Sequence, residues 1–137
     1  METTLSDGDH LIVDKISYRF REPQRYEIVV FPYRYEKNTY YIKRIIGLPG
    51  ETVQIKNGSI YINGELLKAE NGLAEATIAG AAEYPVELGD DEYFLLGDNR
   101  DSSEDSRFVK IGNVKRRQIR GKVWLRLIPF IDFKLVE

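Results

Sequence analysis

The sequence predicts an all-β, mainly antiparallel fold. Short runs rich in β-branched and aromatic residues recur along the chain, each bounded by Gly, Pro, Asn or Asp. No segment sustains a helical period. The pair Asn57-Gly58 stands between two such runs, and it is the strongest short-range hairpin signal, because both central residues of a type I′ turn need positive φ.

Taken in order, "HLIVDKISY" (10–18), "YEIVVFPY" (26–33) and "TYYIKRIIG" (39–47) read as strands of a main sheet. "ETVQIK" (51–56) and "SIYIN" (59–63) are joined by Asn57-Gly58, and Asn63-Gly64 turns the chain again. Residues 69–90, "AENGLAEATIAGAAEYPVELGD", are alanine-rich, weakly patterned and long for an ordered loop. "DEYFLLG" (91–97) and "GKVWLRLI" (121–128) return to strand character. The predicted organisation is a β core of residues 1–50 and 93–137, with 51–92 a small inserted β subdomain carrying a mobile loop. Internal repeats are absent.

Composition narrows the function. At 137 residues, with 20 basic against 22 acidic side chains and a net charge of -2, the chain gives no whole-molecule case for nucleic-acid binding. Zero cysteines exclude disulfides and thiolate zinc sites. The single His10 argues against a histidine-built metal site and against a Ser-His-Asp triad. No metal or cofactor is expected. The most apolar segment, "VWLRLIPFIDFKLV", is interrupted by Arg126, Asp132 and Lys134, and no uncharged run reaches the roughly 20 residues that span a bilayer. The basic run "KRRQIRGK" (115–122) reads as a solvated face or, beside Trp124, Leu125 and Phe130, as a contact for anionic lipid headgroups.

Two stretches carry the chemistry. In "YYIKRIIGLPGE" (40–51), strand alternation puts Lys43 on one face with Tyr41 and Ile45, while Ile42, Arg44 and Ile46 point the other way. An edge-strand lysine, a stem that snorkels to water, or a desolvated amine whose pKa falls until it acts as a base all fit that position. In "LGDNRDSSEDSR" (96–107), a calcium loop fails, since a start at Asp98 or Asn99 gives neither the sixth-position glycine nor the twelfth-position glutamate and Arg100 adds a repelling charge among the would-be ligands. A phosphate cradle fails as well, for want of the P-loop lysine and spacing. What remains is a solvated loop or one that bonds to itself: Asp105 and Arg107 are close enough to pair, and Ser102, Ser103 and Ser106 offer hydroxyls to a neighbouring amine.

Together, "MxxTL", "DGDHLIVDKISY", "YEIVVFPY", "YIKRIIGLPGE", "GDNRDSSEDSR" and "IRGKVWLR" resemble, in order and spacing, the motif boxes of the bacterial type I signal peptidases. The resemblance covers nearly the whole chain. It implies a membrane-anchored serine endopeptidase with a Ser-Lys dyad on a signal-peptidase/LexA-like β fold. Such enzymes remove N-terminal signal peptides from exported preproteins after small-x-small sites, at the extracytoplasmic face of the bacterial cytoplasmic membrane. Self-cleaving LexA-type domains share the fold and dyad, but they lack the "GDNRDSSEDSR" box.

By this resemblance Lys43 is the general base and Ser103 the hydroxyl that aims its amine. Asp105 and Arg107 brace the loop from behind, while Gly97, Asp98 and Asn99 form the turn that carries it under the lysine. Met1, Leu5, Tyr41 and Ile42 match the lining of the substrate pockets, though core packing of Leu5 and Ile42 is an equal alternative. The implied partners are signal peptides and the membrane surface, with no nucleic acid. Two departures stand out. The family's nucleophilic serine immediately precedes the residue that Met1 matches, and Thr3 stands where proline is usual. The first is read as a chain cut directly after that serine and inactive as it stands, with the membrane anchor upstream. The alternative is a non-enzymatic relative that binds export signals. Ala79 and Ala81 also repeat the small-x-small spacing, which makes Ala81-Ala82 a candidate for slow self-cleavage if the loop extends.

Overall fold

The computed structural model describes residues 10–69, 73–101, 103–128 and 132–135. Two antiparallel sheets are built from β1 (His10–Asp14), β2 (Ile28–Pro32), β3 (Tyr40–Gly47), β4 (Thr52–Lys56), β5 (Ser59–Ile62), β6 (Glu65–Leu66), β7 (Val86–Glu87), β8 (Glu92–Leu96), β9 (Val114–Lys115), β10 (Gly121–Ile128) and β11 (Asp132–Leu135). The larger, seven-stranded sheet runs β1-β10-β2-β3-β8-β9, with β11 added to β10. The smaller sheet has the order β6-β5-β4-β7. Helix among the described residues is confined to short 3-10 turns at Ser17–Arg19, Gly80–Glu83 and Arg116–Gln118.

Turn chemistry sets the smaller sheet. Asn57 and Gly58 take φ of 51° and 79°, closing the β4–β5 hairpin with Lys56 opposite Ser59. That is the twist a type I′ turn imposes. Asn63 and Gly64 repeat it at 51° and 82° before β6.

The centre of the large sheet is buried on both faces, which explains why β3 and β8 read as nearly continuous apolar runs. On one side Ile46, Phe94 and Leu96 pack with Val53, Ile55 and Ile60 of the smaller sheet. On the other, Ile45, Tyr93 and Leu95 pack with Val29, Phe31 and Ile119. Each such side chain contributes roughly 1.5–3 kcal/mol of burial. The β3–β8 pair therefore separates two cores, and whatever projects from the ends of these strands is held rigidly.

The alanine-rich stretch carries more order than its composition suggests. Ala74, Ala76 and Ala82 are buried, and the last two lie in the core shared with β4 and β5. Residues 79–83 are turned rather than extended, and the Ala81 N–H donates to the Arg107 carbonyl at 2.8 Å. A protease takes its substrate extended, so this stretch does not present Ala81-Ala82 for cleavage. At the other end of the molecule, Glu27 fastens the chain entering β2. It accepts hydrogen bonds from Tyr18 Oη at 2.9 Å, Arg21 Nη1 at 3.0 Å and the Gln24 N–H at 2.7 Å.

Candidate active site

The alternation of β3 puts Lys43 beside Tyr41, and the tertiary structure gives it a partner sixty residues away. Lys43 Nζ donates to Ser103 Oγ at 3.0 Å and lies 5.4 Å from the centroid of the Tyr41 ring. That ring is stacked on Tyr33, with centroids 4.9 Å apart and planes 9° from parallel. Burial pushes the Lys43 ammonium below the ordinary lysine pKa of 10.5, because the charged form loses hydration. The negative charges of Asp105 and Glu104 oppose that fall, and Arg107 assists it. Among the described residues no salt bridge neutralises the amine.

Gly97 makes the pair possible. It ends the buried run of β8, where a Cβ would stand 2.0 Å from Ser103 Oγ, 2.6 Å from Ser103 Cβ and 3.4 Å from Lys43 Nζ. Any side chain there occupies the space of the Ser103 hydroxyl.

Behind Ser103 the loop is suspended from a fully buried ion pair. Asp105 accepts from Arg107 Nε at 2.8 Å, Arg107 Nη2 at 2.9 Å, the Arg107 N–H at 3.1 Å and the Gly97 N–H at 3.1 Å. Arg107 also donates to the Ile78 carbonyl at 2.8 Å and to the Arg100 carbonyl at 2.7 Å. The loop therefore bonds to itself, as one of its sequence readings held.

Other expected residues fall into place unevenly. Asp98 does more than turn the chain: its carboxylate takes a bidentate bond from Arg44, at 2.9 Å from Nε and 2.8 Å from Nη2. Asn99 is half-buried beside it. Ser106 does not face the amine, since its hydroxyl accepts from the Leu95 N–H at 2.9 Å and locks the loop to β8. Tyr41 Oη donates to Glu104 Oε2 at 3.4 Å, and Ile42 sits half-buried opposite Val30 of β2. Met1, Leu5 and Ser102 lie outside the described residues.

Two arginines that sequence reasoning passed over belong to the same frame. Arg44 is buried on the opposite face of β3 from Lys43, and Arg100 is buried within the loop. A signal was available: each cation interrupts or closely follows an apolar strand, the same anomaly that drew attention to Lys43.

A family model described as signal peptidase, peptidase S26, matches residues 1–128. The chain belongs to the signal peptidase S26 family. It is 46% identical over 135 residues to a probable signal peptidase I-2 from Synechocystis sp., covering 94% of this chain and 59% of that protein. A signal peptidase I from Bacillus amyloliquefaciens is 37% identical over 141 residues, covering 98% and 74%. The crystal structure of a signal peptidase I from Enterococcus faecalis V583 superposes with a TM-score of 0.60 at 31% identity, covering 75% of this chain and 97% of that one. The chain spans 59% and 64% of the length of two curated relatives, from Synechocystis and Leptolyngbya laminosa. The mainly antiparallel β architecture is that of the family. No helix among the described residues is long and apolar enough to cross a membrane.

Proposed function

We propose that this chain is the catalytic domain of a type I signal peptidase, a serine endopeptidase that removes signal peptides from exported preproteins. The observation that carries the reading is the hydrogen bond from Lys43 Nζ to Ser103 Oγ in a site that disfavours the charged amine. A lysine acts as a base only when it has lost its proton, and burial is the route to that state near neutral pH.

In this reading the nucleophile is a serine, which the family carries immediately before the residue that Met1 matches. Neutral Lys43 takes the hydroxyl proton as the serine oxygen bonds to the scissile carbonyl. The resulting ammonium returns that proton to the leaving amine as the peptide C–N bond breaks, leaving an acyl ester. Lys43 then takes a proton from water, whose oxygen attacks the ester, and returns that proton to the serine oxygen as the ester C–O bond breaks, leaving both groups as they began. Ser103 aims the amine through both halves, and the Asp105–Arg107 pair holds Ser103 in place.

Substrate binding follows from β3. Its ladder with β8 ends at Arg44 opposite Leu96, so beyond that point the side of β3 facing away from β2 has no strand partner among the described residues. An extended peptide adds there as a strand, and its first and third residues before the cut point to one side. Tyr41 and Ile42 line the shallow pockets that take small side chains. The membrane surface is the second partner, and the extracytoplasmic face of the bacterial cytoplasmic membrane is the site of action.

The test is cleavage of a preprotein by this chain with a segment ending in serine fused ahead of Met1, read by mass spectrometry of the released mature protein. Cleavage after a small-x-small site is expected, Lys43→Ala abolishes it, and Ser103→Ala lowers kcat more than it raises KM. Full activity of Lys43→Ala overturns the dyad. Tight binding of signal peptides by a well-folded serine-bearing chain that never cuts them favours the non-enzymatic alternative.

A further inference from the structure

The residues that line the back of the loop come from an unexpected direction. Residues 74–82 run between the smaller sheet and the loop, and each side of this segment is bonded. Toward the smaller sheet, the Ile60 N–H donates to the Ala74 carbonyl at 3.1 Å and the Ala76 N–H donates to the Gly58 carbonyl at 3.0 Å. Ala76 and Ala82 are buried against Val53, Ile55 and Ile60. Toward the loop, Arg100 Nη1 donates to the Glu75 carbonyl at 2.7 Å, Arg107 Nη1 to the Ile78 carbonyl at 2.8 Å, and the Ala81 N–H to the Arg107 carbonyl at 2.8 Å.

Both arginines converge on one residue, Gly97. Arg100 Nε donates to the Gly97 carbonyl at 2.6 Å, while Arg107 holds Asp105, which accepts the Gly97 N–H at 3.1 Å. Gly97 is the residue whose missing side chain makes room for Ser103 and Lys43. Arg100 Nη2 is buried with no hydrogen-bond partner among the described residues, so its grip rests on the carbonyls of Gly97 and Glu75.

The fit between strap and loop depends on Gly80. Its φ of +56° is in the left-handed region, and a Cβ there would stand 2.5 Å from the Arg107 carbonyl oxygen and 2.9 Å from Arg107 Cβ. Backbone oxygen cannot swing aside as a flexible side chain does. A substituent at 80 therefore pushes on Arg107 itself.

We infer that residues 74–82 are a positioning strap through which the smaller sheet fixes the Ser103–Lys43 geometry, with Gly80 the residue that sets its distance. Among the described residues no hydrogen bond joins the strap to Lys43 or Ser103, and it acts through Arg100, Arg107 and Gly97. Its catalytic consequence rests on the signal peptidase reading, whereas its structural consequence at Lys43 does not.

Gly80→Ala is compared with Gly64→Ala, which puts a Cβ on a similarly left-handed glycine (φ +82°) in the smaller sheet with nothing within 4 Å. The first readout is the titration of Lys43 in the chain as given, followed by NMR with 13C-labelled lysine. In Gly80→Ala the midpoint moves up toward 10.5 as water reaches the amine, and in Gly64→Ala it stays at the parent value. The second is the kinetics of the serine-bearing chain, where Gly80→Ala lowers kcat about tenfold or more with KM changed less than about twofold, the signature of lost alignment. Should Gly80→Ala not fold, Arg100→Lys carries the same titration expectation, since one flexible ammonium nitrogen does not replace the rigid pair Nε and Nη1 that meets the Gly97 and Glu75 carbonyls. A Lys43 titration identical in the parent, the control and the folded strap variant overturns the strap. A serine-bearing chain that cuts no preprotein overturns the protease reading instead, and the titration still decides the strap.

Discussion

Replacing Asp105 by alanine tests the frame of the site most directly. The carboxylate and its partner Arg107 both have fully buried side chains, and Asp105 accepts four hydrogen bonds, three from Arg107 and one from Gly97. Removing it leaves a guanidinium away from water without its counter-charge and a backbone N–H without an acceptor. Breaking a buried pair by deleting one partner costs about 3–5 kcal/mol. For a chain of this size about 1 kcal/mol moves the melting midpoint by roughly 3 °C, so a loss of about 10–15 °C is expected. Urea unfolding followed by tryptophan fluorescence gives the free energy directly, with an unchanged slope confirming that the native state stays compact. In an Arg107→Met background the same substitution has no charge left to strand. Its cost there falls by at least about 2 kcal/mol, a coupling of the size expected for residues in one network. A melting midpoint within about 2 °C of the parent, or equal costs in both backgrounds, refutes the reasoning.

Three further outcomes follow from single residues. Gly97→Ala drives a methyl into Ser103 Oγ, so the serine-bearing chain loses at least about a hundredfold in kcat, as expected for roughly 1 Å of misplacement, while circular dichroism stays native. Lys43 is lowered by burial, so the unfolded chain binds more protons than the folded one below 10.5 and the ammonium opposes folding at neutral pH. Lys43→Met therefore melts higher than the parent at pH 7, and the gap closes as pH rises toward 10.5; activity of the serine-bearing chain rises over the pH range in which Lys43 loses its proton, and a gap that widens with pH refutes the assignment. Burial alone would raise the Glu27 carboxyl, yet hydrogen bonds from Arg21, Gln24 and Tyr18 hold it at about 2 against an ordinary 4.5. Its stabilisation is complete above pH 4.5 and is lost as pH falls toward 2, so the stability difference between the parent and Glu27→Gln shrinks over that window in acid titrations.

The sequence by itself determined the strands, because alternation and β-branched runs are local properties of the chain. It also determined the hairpins, since Asn57-Gly58 and Asn63-Gly64 meet the positive φ of their turns without help from distant residues. The short strands β6, β7 and β9, two residues each, escaped notice because two residues carry no period. Lys43 and the polar loop were visible as anomalies, and their motif spacing pointed to a family before any contact was known. What the sequence left open was which explanation of each anomaly holds. An amine beside Tyr41 and Ile45 is compatible with water or with burial, and only the approach of Ser103 across sixty residues, over a glycine with no side chain to obstruct it, leaves the amine half-buried against a hydroxyl. The same is true of Arg44, Arg100 and the alanine-rich strap. Their partners are backbone carbonyls or an aspartate on other elements, and a carbonyl has no residue-specific signature that a sequence can display.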